Sequence, residues 1–121
     1  MSADQTSYKM YIDGRFIDGD EPTRTVINPA NGKAFAKVPE ASAGQTRQAI
    51  AAARKAQLHW GLKSPLERAA VMKRIAALVR RDRERLAEVV VREQGKPINE
   101  AMGEVGGTAE FFDYYAEFAR R

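Results

Sequence analysis

Cysteine is absent from the 121 residues and histidine occurs once. With no thiol there is no disulfide framework, no thiolate metal ligand and no thiol nucleophile within the chain. The lone His59, beside Trp60, lacks the companion ligands a zinc site needs and reads as a cap or surface residue. No apolar run is long enough to span a bilayer, so no membrane partner is expected. A cytoplasmic location fits the absence of cysteine, and the stretch Met1 to Met10 lacks the apolar core of a signal peptide. No G-x-S-x-G elbow occurs, and Ser42 and Ser64 stand before helical patterns as N-caps rather than nucleophiles. Internal repeats and low-complexity tracts are missing as well.

What is present suits a folded protein. Charged residues make up 30% and hydrophobic ones 44%, outside the composition of a disordered chain. The net charge of +4 is mild. Arg80, Arg81, Arg83 and Arg85 form a basic run, but Asp82, Glu84 and Glu88 are interspersed and partly cancel its field. No aromatic residue interleaves the run, as a single-strand nucleic-acid platform requires. It reads as a solvated helix face, and no nucleic-acid partner is expected.

The order of patterns gives an α+β class: two short β-hairpins within residues 8–38, then about four helices across residues 42–121. Residues 1–7 read as a disordered tail. Asp13-Gly14 sits between Tyr8 to Ile12 and Arg15 to Ile17, a strong hairpin signal because both turn positions take positive φ. Asn28-Pro29-Ala30-Asn31-Gly32 separates Thr25 to Ile27 from Lys33 to Val38 in the same way. Ser42 and Gln45 have capping-box spacing, and so do Ser64 and Glu67 around Pro65. Apolar residues recur at helical spacing at Ala49, Ile50, Ala53, Ala56 and Trp60, with Gly61 expected to end that helix. The next stripe is Val71, Met72, Ile75, Leu78 and Val79. A break or new N-cap is expected at Asp82, with Leu86, Val89 and Val90 carrying the following face.

Gly95-Lys96-Pro97 suggests a phosphate loop but lacks the earlier glycine and the following Ser or Thr of a Walker motif. Gly95 suits the left-handed position past a helix end, and Pro97 the first turn of the next helix. Gly103, Gly106 and Gly107 lie inside a helical pattern with no strand before them, so they do not form a dinucleotide fingerprint. Each costs about 1 kcal/mol relative to Ala in a helix interior. Close backbone approach, or a wall kept bare for a ligand, would account for them. The last helix, Pro97 to Arg121, carries two apolar stripes. One is Ile98, Met102, Val105, Ala109, Phe112 and Ala116; the other is Phe111, Tyr114, Tyr115 and Phe118. A helix apolar on two faces wants neighbours on both. The expectation is that the chain is a piece of a larger protein, or that the aromatic face is an oligomer interface.

Several strings together resemble the N-terminal segment of the aldehyde dehydrogenase superfamily. They are YIDGRFID, TVINPANGKAFAKVPEAS, AIAAARKAQLHW, the run from Ser64 to Pro97 ending EQGKP, and NEAMGEV followed by AEFFDYYAEFAR. Their order and spacing match from Met10 to Arg121, nearest to succinate-semialdehyde and lactaldehyde dehydrogenase-like members. The resemblance implies the N-terminal part of an aldehyde dehydrogenase α/β fold. It implies an oxidoreductase that uses NAD or NADP to oxidise an aldehyde to a carboxylic acid, as a homo-oligomer when full length. The catalytic Cys and Glu and the cofactor-binding units of the family lie outside this sequence. No catalytic or cofactor-binding residue is therefore assigned here, and the chain alone is expected to be inactive and to bind no cofactor tightly.

Two family features do map onto the chain. Carbonyls of the strand leading into Asn28-Pro29 and the acid before Gly-Lys-Pro hold a monovalent cation in several members. Here these are Val26, Ile27 and Glu93, with Glu93 where such members commonly carry Asp. Read from the residues alone, Glu93 is equally a surface acid in a last helical turn. One face of the last helix lines the substrate tunnel in the family, which implies Gly103, Gly107 and Phe111. A non-enzymatic helical interaction module derived from the family is the alternative. A small basic nucleic-acid binder is a weaker third.

Overall fold

The computed structural model of the chain describes residues 6–118. It divides into two compact units, Met1–Gly61 and Leu62–Arg121. The first unit holds five strands: β1 (Thr6–Ser7), β2 (Met10–Ile12), β3 (Arg15–Ile17), β4 (Glu21–Asn28) and β5 (Lys33–Glu40). The sheets are a three-stranded β1-β5-β4 and a two-stranded β2-β3. Helix α1 (Ala43–Leu62) follows.

Both hairpins form where turn chemistry placed them. Asp13 and Gly14 have φ of 51° and 77°, the two left-handed positions a type I′ turn needs. The turn sets Tyr11 opposite Phe16, with ring centroids 5.1 Å apart. In the second loop, the Asn28 side-chain oxygen accepts from the Ala30 N–H at 2.9 Å, and its carbonyl accepts from the Gly32 N–H at 2.8 Å. Gly32 takes the left-handed φ of 67° that closes the loop. β4 and β5 then pair antiparallel from Asn28 opposite Lys33, with a register shift between Val26 and Ile27.

The disordered-tail expectation for residues 1–7 fails at its end. Thr6 and Ser7 pair parallel with Ala36 and Lys37 of β5, and the Tyr8 N–H donates to the Lys37 carbonyl at 3.1 Å. Two residues whose partners lie 30 positions away carry no local pattern. The rest of that tail, residues 1–5, lies outside the described residues.

Gln45 ties this unit together and is 6% exposed. Its side-chain oxygen accepts from the N–H groups of Asp20 (3.0 Å) and Ser42 (3.1 Å), and its amide nitrogen donates to the Asp18 carbonyl (3.0 Å). The Gln45 N–H in turn donates to the Ser42 hydroxyl, completing the capping box. Between these anchors Gly19 lies so close to Glu40 that any Cβ would overlap the Glu40 backbone.

The second unit is three helices: α2 (Pro65–Arg81), α3 (Arg83–Gln94) and α4 (Ile98–Phe118). Ser64 and Glu67 make the full reciprocal box, at 2.8 and 3.3 Å. Gly61 does not end α1, which runs on to Leu62. The extended Ser64 backbone, ψ 153°, that Pro65 imposes is the effective stop. The break falls at Asp82 as expected, but its carboxylate caps nothing. It accepts instead from Arg81 at 2.9 and 3.0 Å. Gly95 ends α3 with φ 73°, donating to the Val91 carbonyl at 2.8 Å. The Pro97 carbonyl opens α4 by accepting from the Ala101 N–H.

α4 packs on both α2 and α3. The buried side chains are small: Ala69, Ala76, Ala87, Ala101, Val105, Ala109 and Ala116. Alanine seams let helix backbones approach closely, with Leu86, Val90 and Met102 partly buried around Ala87, Ala101 and Val105. The stripes overreached at Leu78 and Ile98, which are exposed, and omitted Ala101. The expected end of this helix, residues 119–121, lies outside the described residues.

Candidate functional site

Among the described residues of the second unit, bare backbone meets exposed rings on the outer face of α4. Gly103, Gly107 and Phe111 are spaced by four residues and so share one helix face. Gly107 and Phe111 line a surface groove of about 280 Å³ together with Glu110 and Tyr114. Gly103 sits one turn earlier and is not part of the groove wall. A Cβ at Gly103 or Gly107 would meet no atom within 4 Å. At Gly106 it would meet the Arg83 guanidinium at 3.5 Å, an ordinary contact. Close approach to another part of the chain therefore does not account for these glycines among the described residues.

Beyond the groove the rings stack on one another. Phe111 and Tyr115 lie 6.5 Å apart by centroid, Tyr114 and Tyr115 5.3 Å, and Tyr114 and Phe118 5.0 Å. All four stay open to solvent, from 66% exposed at Phe111 to 44% at Phe118. Of the first stripe, on the other side, Val105, Ala109 and Ala116 are buried, Met102 and Phe112 partly so, and Ile98 is exposed.

Acidic groups along α4 differ in their partners. Glu104 pairs with Lys96, Asp113 with Arg80 at 2.6 Å, and Glu117 with Lys73 at 2.6 Å. Of the five acids on α4, Glu100 and Glu110 have no cationic partner within the described residues, and no Lys or Arg lines the groove of Glu110. Glu110 was not singled out from the sequence. Its spacing of three from Gly107 was the available signal, since it places the carboxylate on the same face.

The basic run is exposed, as a solvated helix face should be, and its members also reach nearby partners. Arg80 holds Asp113, Arg81 grips Asp82 with two nitrogens, and Arg85 reaches Asp82 at 3.4 Å. Arg83 donates from Nε to the Met102 carbonyl of α4 at 3.0 Å. The Arg81 hydrogen bonds hold the Asp82 carboxyl below the usual carboxylate range, and Asp82 raises the Arg81 guanidinium in return. His59 lies in the last turn of α1, exposed.

Val26 and Ile27 lie on β4 in the first unit, at the register shift that interrupts the ladder. Such an irregularity leaves backbone groups free of strand pairing. Glu93 lies exposed in the last turn of α3 in the second unit. Oxygen donors of this kind suit a hard monovalent ion, but three do not complete a coordination shell. Among the described residues no group of three or more His, Cys, Asp or Glu side chains converges to hold a metal. No described helix is long and apolar enough to cross a membrane.

Comparison with known proteins places the fold. The aldehyde dehydrogenase family model matches residues 16–121. A 3-sulfolactaldehyde dehydrogenase of Pseudomonas putida is 38% identical over 112 residues, which are 92% of this chain and 23% of the relative. The crystal structure of lactaldehyde dehydrogenase from Escherichia coli superposes with a TM-score of 0.92 at 36% identity, covering 97% of this chain and 25% of that one. An NAD-dependent aldehyde dehydrogenase from Sinorhizobium meliloti superposes with a TM-score of 0.88 at 37% identity, over 93% of this chain and 23% of that one. The chain belongs to the aldehyde dehydrogenase family. Its hairpins and helices match the N-terminal part of that fold, and it spans about a quarter of the length of these relatives.

Proposed function

We propose that this chain forms the N-terminal segment of an NAD(P)-dependent aldehyde dehydrogenase that oxidises an aldehyde to a carboxylic acid. The family match over residues 16–121 carries this reading. NAD or NADP, bound by other parts of the intact enzyme, would supply the hydride acceptor. The chain has no cysteine, so the thiolate that such nucleophilic catalysis needs comes from elsewhere in the enzyme. Its own part is to shape and support. Gly103, Gly107 and Phe111 form a wall of the substrate entrance, where two glycines keep space open that larger side chains would fill. The Val26 and Ile27 carbonyls and the Glu93 carboxylate are each candidate oxygen donors to a monovalent cation in the intact enzyme. The exposed rings of α4 lie against protein in the intact homo-oligomeric, cytoplasmic enzyme. The engagement of Arg80, Arg81, Arg83 and Arg85 within the fold supports a protein without a nucleic-acid partner.

The test is a chimera in which this chain replaces the matching first quarter of Escherichia coli lactaldehyde dehydrogenase. The chimera is expected to reduce NAD in the presence of an aldehyde. Gly107→Leu in that chimera is expected to lower kcat/KM for bulky aldehydes at least tenfold more than for acetaldehyde, the discrimination a filled pocket gives. A folded chimera inactive with every aldehyde favours the interaction-module alternative instead. Unchanged selectivity removes Gly107 from the substrate wall.

A further inference from the structure

Gly103, Gly106 and Gly107 concentrate in the middle of α4. Each weakens a helix interior, since glycine has the most backbone freedom to lose. Thr108 adds to this. Its hydroxyl donates to the Glu104 carbonyl at 2.9 Å, a back-bond that tends to bend helices. Yet α4 runs unbroken from Ile98 to Phe118. Packing on α2 and α3 holds it, and at the bare segment itself the contact is Arg83.

Arg83 opens α3, directly after the break at Asp82. Arg80, Arg81 and Arg85 pair with carboxylates, whereas Arg83 donates from Nε to the main-chain carbonyl of Met102 at 3.0 Å. In helix geometry that carbonyl also receives the Gly106 N–H, and its two lone pairs serve both donors. The Arg83 guanidinium lies 3.5 to 3.7 Å from the place a Gly106 Cβ would take. It covers the bare backbone there, and a side chain longer than alanine would compete with it for the space. The contact extends an existing seam. Ala87, one turn after Arg83, packs with Ala101 and Val105, the residues just before Met102 and Gly106.

We propose that Arg83 is a positioning residue: by holding the Met102 carbonyl and covering Gly106, it fixes the bare segment of α4 and, through it, the room beside Gly107 that discriminates between aldehydes. The proposal rests on the reading of Gly103 and Gly107 as substrate wall. A bare wall discriminates by the space it leaves, so that space has to keep its place. A segment weakened by glycines does not keep it unaided.

Two measurements test it. In the first, amide protection factors are measured in the 121-residue chain. Arg83→Met keeps the side chain long and removes the donor. It is expected to lower protection at Gly106 and Gly107 about threefold or more, the loss of one exposed charge-assisted hydrogen bond, and to leave Ala116 unchanged. Arg83→Lys, which keeps a charged donor, is expected to restore part of the protection. In the second, the chimera described above is assayed. Arg83→Met is expected to raise KM for bulky aldehydes about threefold or more relative to acetaldehyde, with kcat little changed and Arg83→Lys intermediate. Gly106→Leu reaches the same anchor from α4. It is expected to shift selectivity in the same direction and to add nothing when combined with Arg83→Met. Gly106→Ala, whose Cβ makes an ordinary contact, is expected to leave selectivity as it is.

If Arg83→Met lowers protection equally at Gly106, Gly107 and Ala116, or at none of them, Arg83 does not position the segment and the proposal is overturned. Where Arg83→Met does not fold, unchanged selectivity in Gly106→Leu overturns it. If protection falls at the glycines while selectivity stays, and Gly107→Leu does alter selectivity, the wall stands and the link from Arg83 to it is wrong. If Gly107→Leu alters no aldehyde either, the wall reading itself has failed and the proposal with it.

Discussion

Gly95 and Gly107 are the same residue under opposite constraints. Gly95 holds φ at 73° to end α3, a conformation that costs a side chain roughly 1 kcal/mol. Gly107 sits in a helix interior with open space around it, where Ala is favoured by about 1 kcal/mol. Gly95→Ala is therefore expected to destabilise the chain and Gly107→Ala to stabilise it, each by about that amount, in urea unfolding followed by circular dichroism. Equal signs would show that backbone conformation does not govern these positions. Gly95 was legible in the sequence because Gly-x-Pro is distinctive punctuation. Gly19 was not, because its constraint is the Glu40 backbone, 21 positions away. Glu110 escaped notice because a single acid on a helix means little until its neighbours are seen to be paired.

At the scale of the element, helix beginnings read well and helix coverings did not. The Ser42–Gln45 and Ser64–Glu67 boxes form as spaced, since each is closed by residues three apart. Asp82 kept the expected backbone break but lost its cap to Arg81, because a charge-assisted bidentate bond outcompetes a backbone donor. The α2 box carries a pH dependence. Hydrogen bonds from Ser64, first with its side chain and then with its backbone, hold the Glu67 carboxyl below its usual range. A carboxyl lowered on folding stabilises above its unfolded pKa, and that contribution is lost as pH falls through the folded pKa. The protection factors of amides at the start of α2, with intrinsic exchange divided out, are therefore expected to fall on acidification into the carboxylate range, and Glu67→Gln to flatten that response. Faster exchange on raising the pH, beyond the intrinsic base catalysis seen in Glu67→Gln, would contradict the assignment. The apolar stripe of α1 shows what periodicity leaves out. Ile50 and Leu58 recur at helical spacing yet stay exposed, for a stripe says that a face is apolar and not what lies on it.

For the whole molecule, the order of hairpins and helices was legible because turn residues are chemically marked. The parallel β1–β5 pairing was not, since Thr6 and Ser7 offer no signal beyond their partners. The division into Met1–Gly61 and Leu62–Arg121 was not legible either, because α1 runs through the boundary as continuous helix. The purified 121-residue chain is expected to form no NADH with any aldehyde, since it contains no cysteine. Aldehyde-dependent absorbance at 340 nm (about that wavelength for reduced nicotinamide) would refute this, given that the acceleration depends on an activated nucleophile.

The single side-chain amide of Gln45 joins Asp18 and Asp20 to Ser42. The start of α1 cannot fray without also releasing the approach to β4. The two segments should breathe together: deuterium should enter at the Asp20 and Ser42 amides with one common opening free energy, as members of one cooperative foldon.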